Sequence, residues 1–455
     1  MSAKHPFRLK PGKFVHPGGK KSSNANILTN RLSGLFLILQ LQKDNMVLKR
    51  TVLGIFLGIL LLKVSAQNSL QQGAWRGQLI REDGIAIPFH FDIRKEHSKT
   101  VFYIINASER LRIDKVRYTK DSVFFEMPVF ESYFKARRIS ANRWEGLWTK
   151  GGSLQLINMP FIAETQLSIA PAVIQTAKTD ITGRWAVTFT RPDKTTRPAI
   201  GEWMQKGYTV RGTVITPSGD YRYLSGVVNG DSLTVSTFDG SHAFLLTAKI
   251  NSNRQITGGI FYNGASGIEP WVAEKNEQAT LPDLGAVYLK EGAEKLNFRF
   301  LGLDKKWVSI NDKQFKNKVV IIQIMGSWCP NCMDETAFLS EYYKRNKQRG
   351  IEIIGLAYEY SSDFERSRKS IQKFKDKFDV QYTLLNTGVT VSDSLKTEKT
   401  LPQLTPIKYF PTTIFLDKKG RVAKIHAGFE GPGTGLRYEE MKKAFEATVD
   451  GLLKQ

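Results

Sequence analysis

Gly326-Ser-Trp-Cys-Pro-Asn-Cys-Met-Asp-Glu335 is the stretch that decides the fold of this 455-residue chain, and it holds both of the chain's cysteines. It follows the buried-strand pattern Lys318-Val-Val-Ile-Ile-Gln-Ile-Met325 and leads into a helical pattern. A thiol at such a strand-to-helix junction meets unpaired backbone N–H groups and the positive end of the helix dipole, which favour its thiolate form. Cys329 is therefore predicted to attack disulfides, and Cys332, one turn inside the helix, to resolve the mixed disulfide.

Two side chains beside the cysteines support this interpretation. Trp328 flanks Cys329, and Pro330 stands at an early helical position, where its missing N–H donor is not needed. A structural disulfide across so short a loop would remove little entropy from the unfolded chain. A metal site would need ligands that neither a second Cys-x-x-Cys motif nor a nearby His pair provides. The pattern indicates a redox-active dithiol, with no metal and no other cofactor.

From about 281 to 455 the chain alternates between strand and helix patterns. Strands are predicted at 318–325, 351–357, 382–385, 412–416 and 422–426, and helices at 334–349, 363–378 and 438–453. This alternation is typical of an α/β domain. Tyr409-Phe-Pro-Thr-Thr413 leads into one of the strands, about 80 residues after the cysteines. Taken alone, its proline fits an edge or turn residue.

Residues 67–275 have the pattern of an all-β region. Alternating apolar and β-branched runs recur between short Gly, Asn and Asp turns, which predicts an antiparallel sandwich or barrel. Three strands open with a Trp beside a glycine, at 73–77, 143–146 and 183–186. This weak internal repeat indicates two halves, joined near 164–180. Pro217-Ser-Gly-Asp-Tyr-Arg-Tyr223 is interpreted as a turn that leads into a strand and not as a site.

The N-terminus has the pattern of an export signal. Residues 46–66 combine a basic start, a short apolar run and the small residues Val64-Ser-Ala66 before Gln67, which predicts a secretory signal peptide. The apolar run is shorter than the ~20 residues that a spanning helix needs, and an uncleaved anchor helix is the alternative. Residues 1–45 are interpreted as a basic, disordered upstream extension. We therefore expect a periplasmic location.

The charge of the chain argues against nucleic acid as a partner. The chain has 66 Lys+Arg against 43 Asp+Glu, a formal charge of +23. Residues 1–66 hold eleven Lys or Arg and one acidic residue, so they contribute +10 and leave +13 on the remainder. That remainder carries no arginine-rich tract and no basic segment interleaved with aromatic residues. Nucleic-acid binding is therefore not expected.

The Trp-Cys-x-x-Cys stretch and the downstream Phe410-Pro-Thr412 before a β-hairpin together resemble the thioredoxin fold. More closely, Gly326–Glu335 resembles the secreted TlpA/ResA-like thiol–disulfide oxidoreductases, in the form that carries an N-terminal β region; the resemblance covers residues 281–455. It implies a cis Phe410–Pro411 peptide that faces the cysteines and leaves the Phe410 backbone to pair with a substrate chain. It also matches Glu335 to an acidic residue that this family often has three residues beyond the second cysteine.

The sequence departs from thioredoxin itself at Gln323, six residues before the first cysteine. Thioredoxin has a buried aspartate there, which is thought to assist proton transfer, whereas Gln323 cannot titrate. Proton transfer would then depend on Glu335, water or Glu359. An acid of the first helical turn that complements the dipole is the alternative interpretation of Glu335. The Pro-Asn dipeptide between the cysteines does not fix the redox direction.

The sequence thus predicts a multidomain protein: an N-terminal all-β region followed by an α/β thioredoxin-like fold. We expect a thiol–disulfide oxidoreductase that reduces protein disulfides and is regenerated by a membrane-bound thiol electron donor. One alternative is a binding or delivery module whose dithiol acts as a redox-active guard, as in cytochrome maturation. Another is a peroxiredoxin-type antioxidant enzyme, which is disfavoured because neither Ser nor Thr stands three residues before Cys329.

Overall fold

The computed structural model describes residues 69–152, 155–165, 175–282 and 287–455, together with Lys43, Met46 and Lys49. Apart from those three residues, the predicted upstream extension and signal peptide lie outside the described residues, as does 166–174 in the predicted joint. Leu70–Gln455 form one compact unit. No helix in the described part of the chain is long and apolar enough to cross a membrane.

The first β region is an antiparallel sheet of nine strands. They are β1 Gly73–Ile80, β2 Ala86–Glu96, β3 Lys99–Asn106, β4 Glu109–Ile113, β5 Val116–Tyr118, β6 Ser122–Glu126, β7 Ser132–Ser140, β8 Arg143–Lys150 and β9 Ile157–Thr165. Their order in the sheet is β4-β3-β2-β1-β9-β8-β7-β6-β5, so the first and last strands of the region pair at its centre. Buried residues alternate with less buried ones along β1, where Trp75 and Leu79 enter the core.

The second β region is a closed barrel. Its strands are β10 Gly183–Thr190, β11 Thr196–Lys206, β12 Thr209–Thr216, β13 Gly219–Asp220, β14 Leu224–Asn229, β15 Ser232–Phe238, β16 Ala243–Ser252, β17 Gln255–Asn263 and β18 Gly267–Lys275. They follow the order β11-β10-β18-β17-β16-β15-β14-β12-β13, and a further pairing of β11 with β12 closes the ring. Closure leaves the ring without free strand edges. Of the sandwich and barrel predicted from sequence, this region adopts the barrel.

The two β regions repeat one another. The strand pairs Gly73–Ile93 and Trp75–Thr165 of the first region correspond to Gly183–Trp203 and Trp185–Lys275 of the second. Every residue number in the second set exceeds its counterpart by 110. The indole N–H of Trp75 donates to the Gln71 carbonyl at 3.0 Å, and that of Trp185 donates to the Ile181 carbonyl at 2.9 Å. The weak repeat seen in the sequence is therefore a repeat of strand register and of side-chain anchoring.

The C-terminal region is a mixed sheet with helices. Its elements are β19 Arg299–Gly302, β20 Trp307–Ser309, β21 Val319–Met325, α1 Pro330–Asn346, β22 Ile351–Ala357, α2 Phe364–Lys377, β23 Thr383–Asn386, α3 Lys396–Thr400, β24 Thr412–Leu416, β25 Val422–Ala427 and α4 Leu436–Leu453. The sheet order is β20-β19-β23-β22-β21-β24-β25. Strands β21, β22 and β23 run parallel, and β24 returns antiparallel beside β21. The fold class predicted from the sequence is confirmed, although the helix predicted from 334 begins earlier, at Pro330.

Apolar contacts join the three regions. Val129 and Phe130, which follow β6 of the first region, belong to the hydrophobic core of the C-terminal region. Phe238 and Leu245 of the second region belong to the core of the first. Because side chains of one region complete the core of another, the β regions pack against the thioredoxin-like region over a shared interior.

Candidate active site

Both cysteines lie where β21 passes into α1. Cys329 is the N-cap of the helix, Pro330 is its first residue, and the Cys329 Sγ accepts a hydrogen bond from the Cys332 backbone N–H at 3.2 Å. Both thiols are free. The Cys329 thiol donates to the Phe410 carbonyl oxygen at 3.6 Å. The Phe410–Pro411 peptide is cis, as the resemblance predicts, and it lies beside the first cysteine.

Cys332 lies in the protein interior. Its side chain has no solvent exposure. Burial raises the pKa of the Cys332 thiol well above its usual range, and a hydrogen bond with the Cys329 thiol raises this pKa further. A thiol of this kind attacks a disulfide only after it has lost its proton, since the thiolate is the nucleophile. The site therefore needs a proton acceptor near Cys332.

Glu335 supplies a titratable group at this place. Its carboxyl group is buried, its Oε1 accepts a hydrogen bond from the Thr413 hydroxyl, and its Oε2 has no partner among the described residues. Burial raises the pKa of Glu335 to about 7, against the effect of the hydrogen bond from Thr413 and of the polar Gln323 side chain. Interpreting Glu335 as a first-turn acid is wrong, because it stands beyond the first turn of α1 and is buried.

Gln323 occupies the interior of β21 at the level of the cysteines. Its Nε2 donates to the Cys332 carbonyl at 3.4 Å, and its Oε1 accepts from the Thr336 hydroxyl at 3.1 Å. These two bonds tie the first turns of α1 to the sheet. Because Gln323 carries no charge, Glu335 is the acid whose charge acts on Cys332.

Glu359 and Trp328 shape the turn before Cys329. The Glu359 carboxylate accepts hydrogen bonds from the Ser327 N–H at 2.9 Å and from its hydroxyl at 2.6 Å. Burial raises the pKa of Glu359 to about 7, although these two bonds oppose the shift. The Trp328 indole N–H donates to the Tyr358 carbonyl at 2.8 Å, and its ring stacks on Tyr360. Glu359 therefore holds the turn through Ser327.

The barrel of the second β region also reaches this segment, a contact that no pattern in the sequence predicts. The Ser241 hydroxyl donates to the Trp328 carbonyl at 2.9 Å, and the Asn331 side-chain amide donates to the Asp220 carbonyl at 3.1 Å. Residues 217–223 do form a turn that leads into β14, but this turn lies against the dithiol segment. No local pattern in the sequence indicates such a contact across more than one hundred positions.

The arrangement is suited to thiol–disulfide exchange. The first thiol caps α1 and contacts the Phe410 carbonyl, the second thiol is fully buried, and the charge of the buried Glu335 carboxyl group acts on the second thiol. Within the described ranges, no group of three or more His, Cys, Asp or Glu side chains is placed to hold a metal ion.

Comparison with known proteins identifies relatives of the C-terminal region. The Redoxin family matches residues 290–442. The thiol-disulfide oxidoreductase ResA of Bacillus thuringiensis subsp. konkukian (strain 97-27) is 28% identical over 153 residues, which cover 33% of this chain and 76% of that protein. ResA of Bacillus subtilis (strain 168) is 23% identical over 144 residues, covering 32% and 71%. A thioredoxin-family thiol:disulfide interchange protein from Chlorobium tepidum TLS has 19% identity and a TM-score of 0.27, with 36% of this chain and 98% of that chain covered. The C-terminal region of this chain is therefore a TlpA/ResA-like thiol–disulfide oxidoreductase domain of the thioredoxin superfamily.

Proposed function

We propose that this protein reduces disulfide bonds of other proteins in the periplasm through Trp328-Cys-Pro-Asn-Cys332. The observation that carries the proposal is the placement of Cys329: its Sγ caps α1, accepts the Cys332 N–H at 3.2 Å and lies 3.6 Å from the Phe410 carbonyl. The similarity to ResA supports disulfide exchange. The periplasmic location rests on the signal peptide predicted at 46–66.

The proposed reaction has two exchange steps. The Cys329 thiolate attacks one sulfur of the substrate disulfide, so that a Cys329–substrate bond forms and the electron pair of the broken bond leaves on the other substrate sulfur. The Cys332 thiolate then attacks the Cys329 Sγ and expels the first substrate sulfur as a second thiolate. The two substrate thiolates take up protons, and two electrons have moved from the dithiol to the substrate.

Glu335 is the proposed proton acceptor for the second step. Its pKa of about 7 lets the carboxyl group be ionised in part at neutral pH, and its Oε2 carries no competing hydrogen bond from a described residue. Removal of the Cys332 proton by Glu335 produces the thiolate that attacks Cys329. Trp328, Pro330, Phe410 and Pro411 are proposed to hold the two thiols and the incoming chain in place.

The oxidised Cys329–Cys332 pair must receive two electrons before the next cycle. We propose a membrane-bound thiol protein as their source, because an exported reductase works in an oxidising compartment and needs a supply of electrons from elsewhere. No further cofactor is invoked, since the dithiol itself carries the electrons.

Trapping the mixed disulfide tests the proposal. In Cys332→Ser the first exchange step proceeds and the second cannot, so incubation of the reduced variant with insulin should yield a covalent adduct. The adduct should run as a higher-mass band on a non-reducing gel, disappear with dithiothreitol, and map to Cys329 by mass spectrometry.

The matched control is Cys329→Ser, which should form no adduct and reduce no insulin. If Cys332→Ser forms no adduct with insulin or with oxidised glutathione although its Cys329 is still alkylated by iodoacetamide, Cys329 is not the attacking thiol and the proposed reaction is excluded. An adduct through Cys332 in Cys329→Ser would reverse the two roles.

A binding or delivery module with a guarding dithiol is the second candidate, and the burial of the dithiol favours it. Cys329 is only 4% exposed. Equilibration with glutathione redox buffers separates the two candidates: a dithiol that cycles with a potential near the reducing end of the thioredoxin-fold range, about −270 mV, supports the reductase. A dithiol that does not cycle supports the binding module.

A further inference from the structure

Two turns of the barrel, residues 217–223 and 239–242 (the cover turns), lie on the segment that holds the dithiol. Ser241 donates to the Trp328 carbonyl at 2.9 Å, and Arg222 donates to the Pro330 carbonyl at 3.4 Å. The Asn331 amide donates to the Asp220 carbonyl at 3.1 Å. The cover turns thus contact the residue directly before the first cysteine and both residues between the two cysteines.

The contact is close enough to require glycine. Gly219 has φ +129°, and a Cβ added there would lie 2.6 Å from the Asn331 Nδ2 and 3.0 Å from the Phe429 carbonyl. The Gly431 N–H donates to the Asp220 carboxylate at 2.7 Å, so the loop after β25 is tied to the same turn. The cover turns therefore fill the space between α1 and this loop.

Arg222 fastens the cover turns to the thioredoxin-like region. Its side chain is 2% exposed and forms ion pairs with Glu109 of the first β region, with Asp239 at 3.6 Å and with Asp334 of α1. One guanidinium group thus joins all three regions of the molecule within two residues of Cys332. Removing one member of a buried ionic cluster leaves the other charges uncompensated, which strongly disfavours the closed contact.

The cover turns bear on access to the dithiol. A substrate sulfur must approach the Cys329 Sγ along the axis of the S–S bond that breaks. When the disulfide belongs to a protein, the substrate chain must also lie along Phe410. Cys329 is almost fully buried and Phe410 is buried as well. We propose that the cover turns, held by Arg222, decide which disulfides reach Cys329: they exclude folded proteins while seated and admit them only after moving away. This inference rests on the proposed function for its choice of substrate.

Alkylation of the reduced full-length chain tests the cover without any assumption about its substrate. The probe is iodoacetamide, and mass spectrometry follows the rate at which Cys329 is modified. Arg222→Met should raise this rate about tenfold, because loss of the ion pairs shifts the population toward the open state. Gly219→Ala should act in the same direction by a different route, since its Cβ meets Asn331 and Phe429.

Two substitutions in the same barrel serve as matched controls. Lys249→Met removes an ion pair with Asp231 (2.8 Å) elsewhere in the barrel. Gly207→Ala alters a positive-φ glycine with open space around it. Both should alkylate at the wild-type rate. Circular dichroism verifies that each variant is folded, so that faster alkylation of a folded Arg222→Met or Gly219→Ala reports opening of the cover.

Reduction assays with insulin and with oxidised glutathione then address the substrate. The Arg222→Met variant should reduce insulin several-fold faster than wild type. Its rate with oxidised glutathione, a small disulfide, should rise less. If folded Arg222→Met and Gly219→Ala both alkylate at the wild-type rate, the cover is refuted, whatever the activity. If alkylation is faster but neither wild type nor variant reduces insulin, the cover stands and the proposed reductase function falls.

Discussion

At the scale of single residues, three buried carboxyl groups beside the dithiol have similar pKa values but different neighbours. Burial raises the pKa of Asp334, Glu335 and Glu359 to about 7 each. Asp334 pairs with Arg222, and Glu359 binds the turn before Trp328. The charge of Glu335 raises the pKa of Cys332. Contacts, and not the pKa values, therefore distinguish the proposed proton acceptor from its neighbours.

Glu335→Gln should remove the pH dependence that this carboxyl group gives to resolution of the mixed disulfide. In the wild type, resolution speeds up as Glu335 ionises near pH 7, because the carboxylate then accepts the Cys332 proton. The glutamine cannot accept a proton, so the rate at pH 8 should fall about 100-fold, within the range of general base catalysis. Trp328 fluorescence after mixing the reduced protein with oxidised glutathione, from pH 5 to pH 9, measures the effect.

Glu359→Gln is the control for this prediction, since Glu359 is equally buried and has the same pKa of about 7 but contacts Ser327. It should keep the inflection near pH 7. An unchanged pH profile in Glu335→Gln, or its loss in Glu359→Gln alone, would assign proton transfer to Glu359 or to water.

At the scale of elements, the two β regions use the same anchor for their first strand. Trp75 in β1 and Trp185 in β10 each donate their indole N–H to a carbonyl four residues earlier. Each indole also fills the core of its own region, where both rings are fully buried. The anchor fixes where the strand begins, and a register shift of one residue would turn these rings toward solvent.

Trp75→Phe and Trp185→Phe should therefore lower the free energy of unfolding by similar amounts. Each removes the hydrogen bond of a fully buried indole, at a cost of ~0.5–1.5 kcal/mol beyond the change in packing. Urea denaturation followed by circular dichroism measures the two differences. Trp148→Phe is the comparison: the Trp148 indole is as deeply buried but its N–H has no partner among the described residues, so the loss should be smaller. Equal losses in all three variants would show that the anchor bonds contribute nothing.

Local patterns in the sequence predict these elements well. Strands 351–357 and 412–416 begin and end as predicted, because short runs rich in β-branched and other apolar residues are typical of buried strands. The apolar pattern alone places the start of α1 four residues late, at 334, whereas the dithiol motif, with Pro330 at an early helical position, indicates the start that is observed. The Cys329–Cys332 pair is found because its spacing is local.

The contacts that complete the site are not local, and for that reason the sequence does not predict them. Arg222 lies 108 positions before Pro330, and its ion pairs join three regions whose mutual packing no periodicity encodes. Thr413 stands two residues after the recognised Pro411, but its bond to Glu335 depends on β24 pairing with β21. Local patterns do not reveal which distant elements pair in the folded chain, and it is this pairing that brings these side chains together.

At the scale of the whole molecule, charged side chains from all three regions meet at Arg222. It faces Glu109, Asp239 and Asp334, so the cluster holds more acidic groups than basic ones. Protonation of Asp334 relieves this excess. Burial raises the pKa of Asp334 to about 7, and Arg222 opposes that shift. The packing of the β regions on the thioredoxin-like region is therefore coupled to pH through this cluster.

Asp334→Asn should flatten the dependence of stability on pH. An unfolded aspartate ionises near pH 4 and folded Asp334 near pH 7, so between these values the folded state binds the extra proton and the free energy of unfolding falls as pH rises. In the variant, urea denaturation at pH 5 and pH 7 should differ by about 2 kcal/mol less than in the wild type. The exposed Asp304 gives the control, since Asp304→Asn should keep the wild-type slope in this interval. A full slope in Asp334→Asn would place the titrating group elsewhere, for example at Glu335, Glu359 or Asp220, which are buried carboxyl groups whose pKa is also raised.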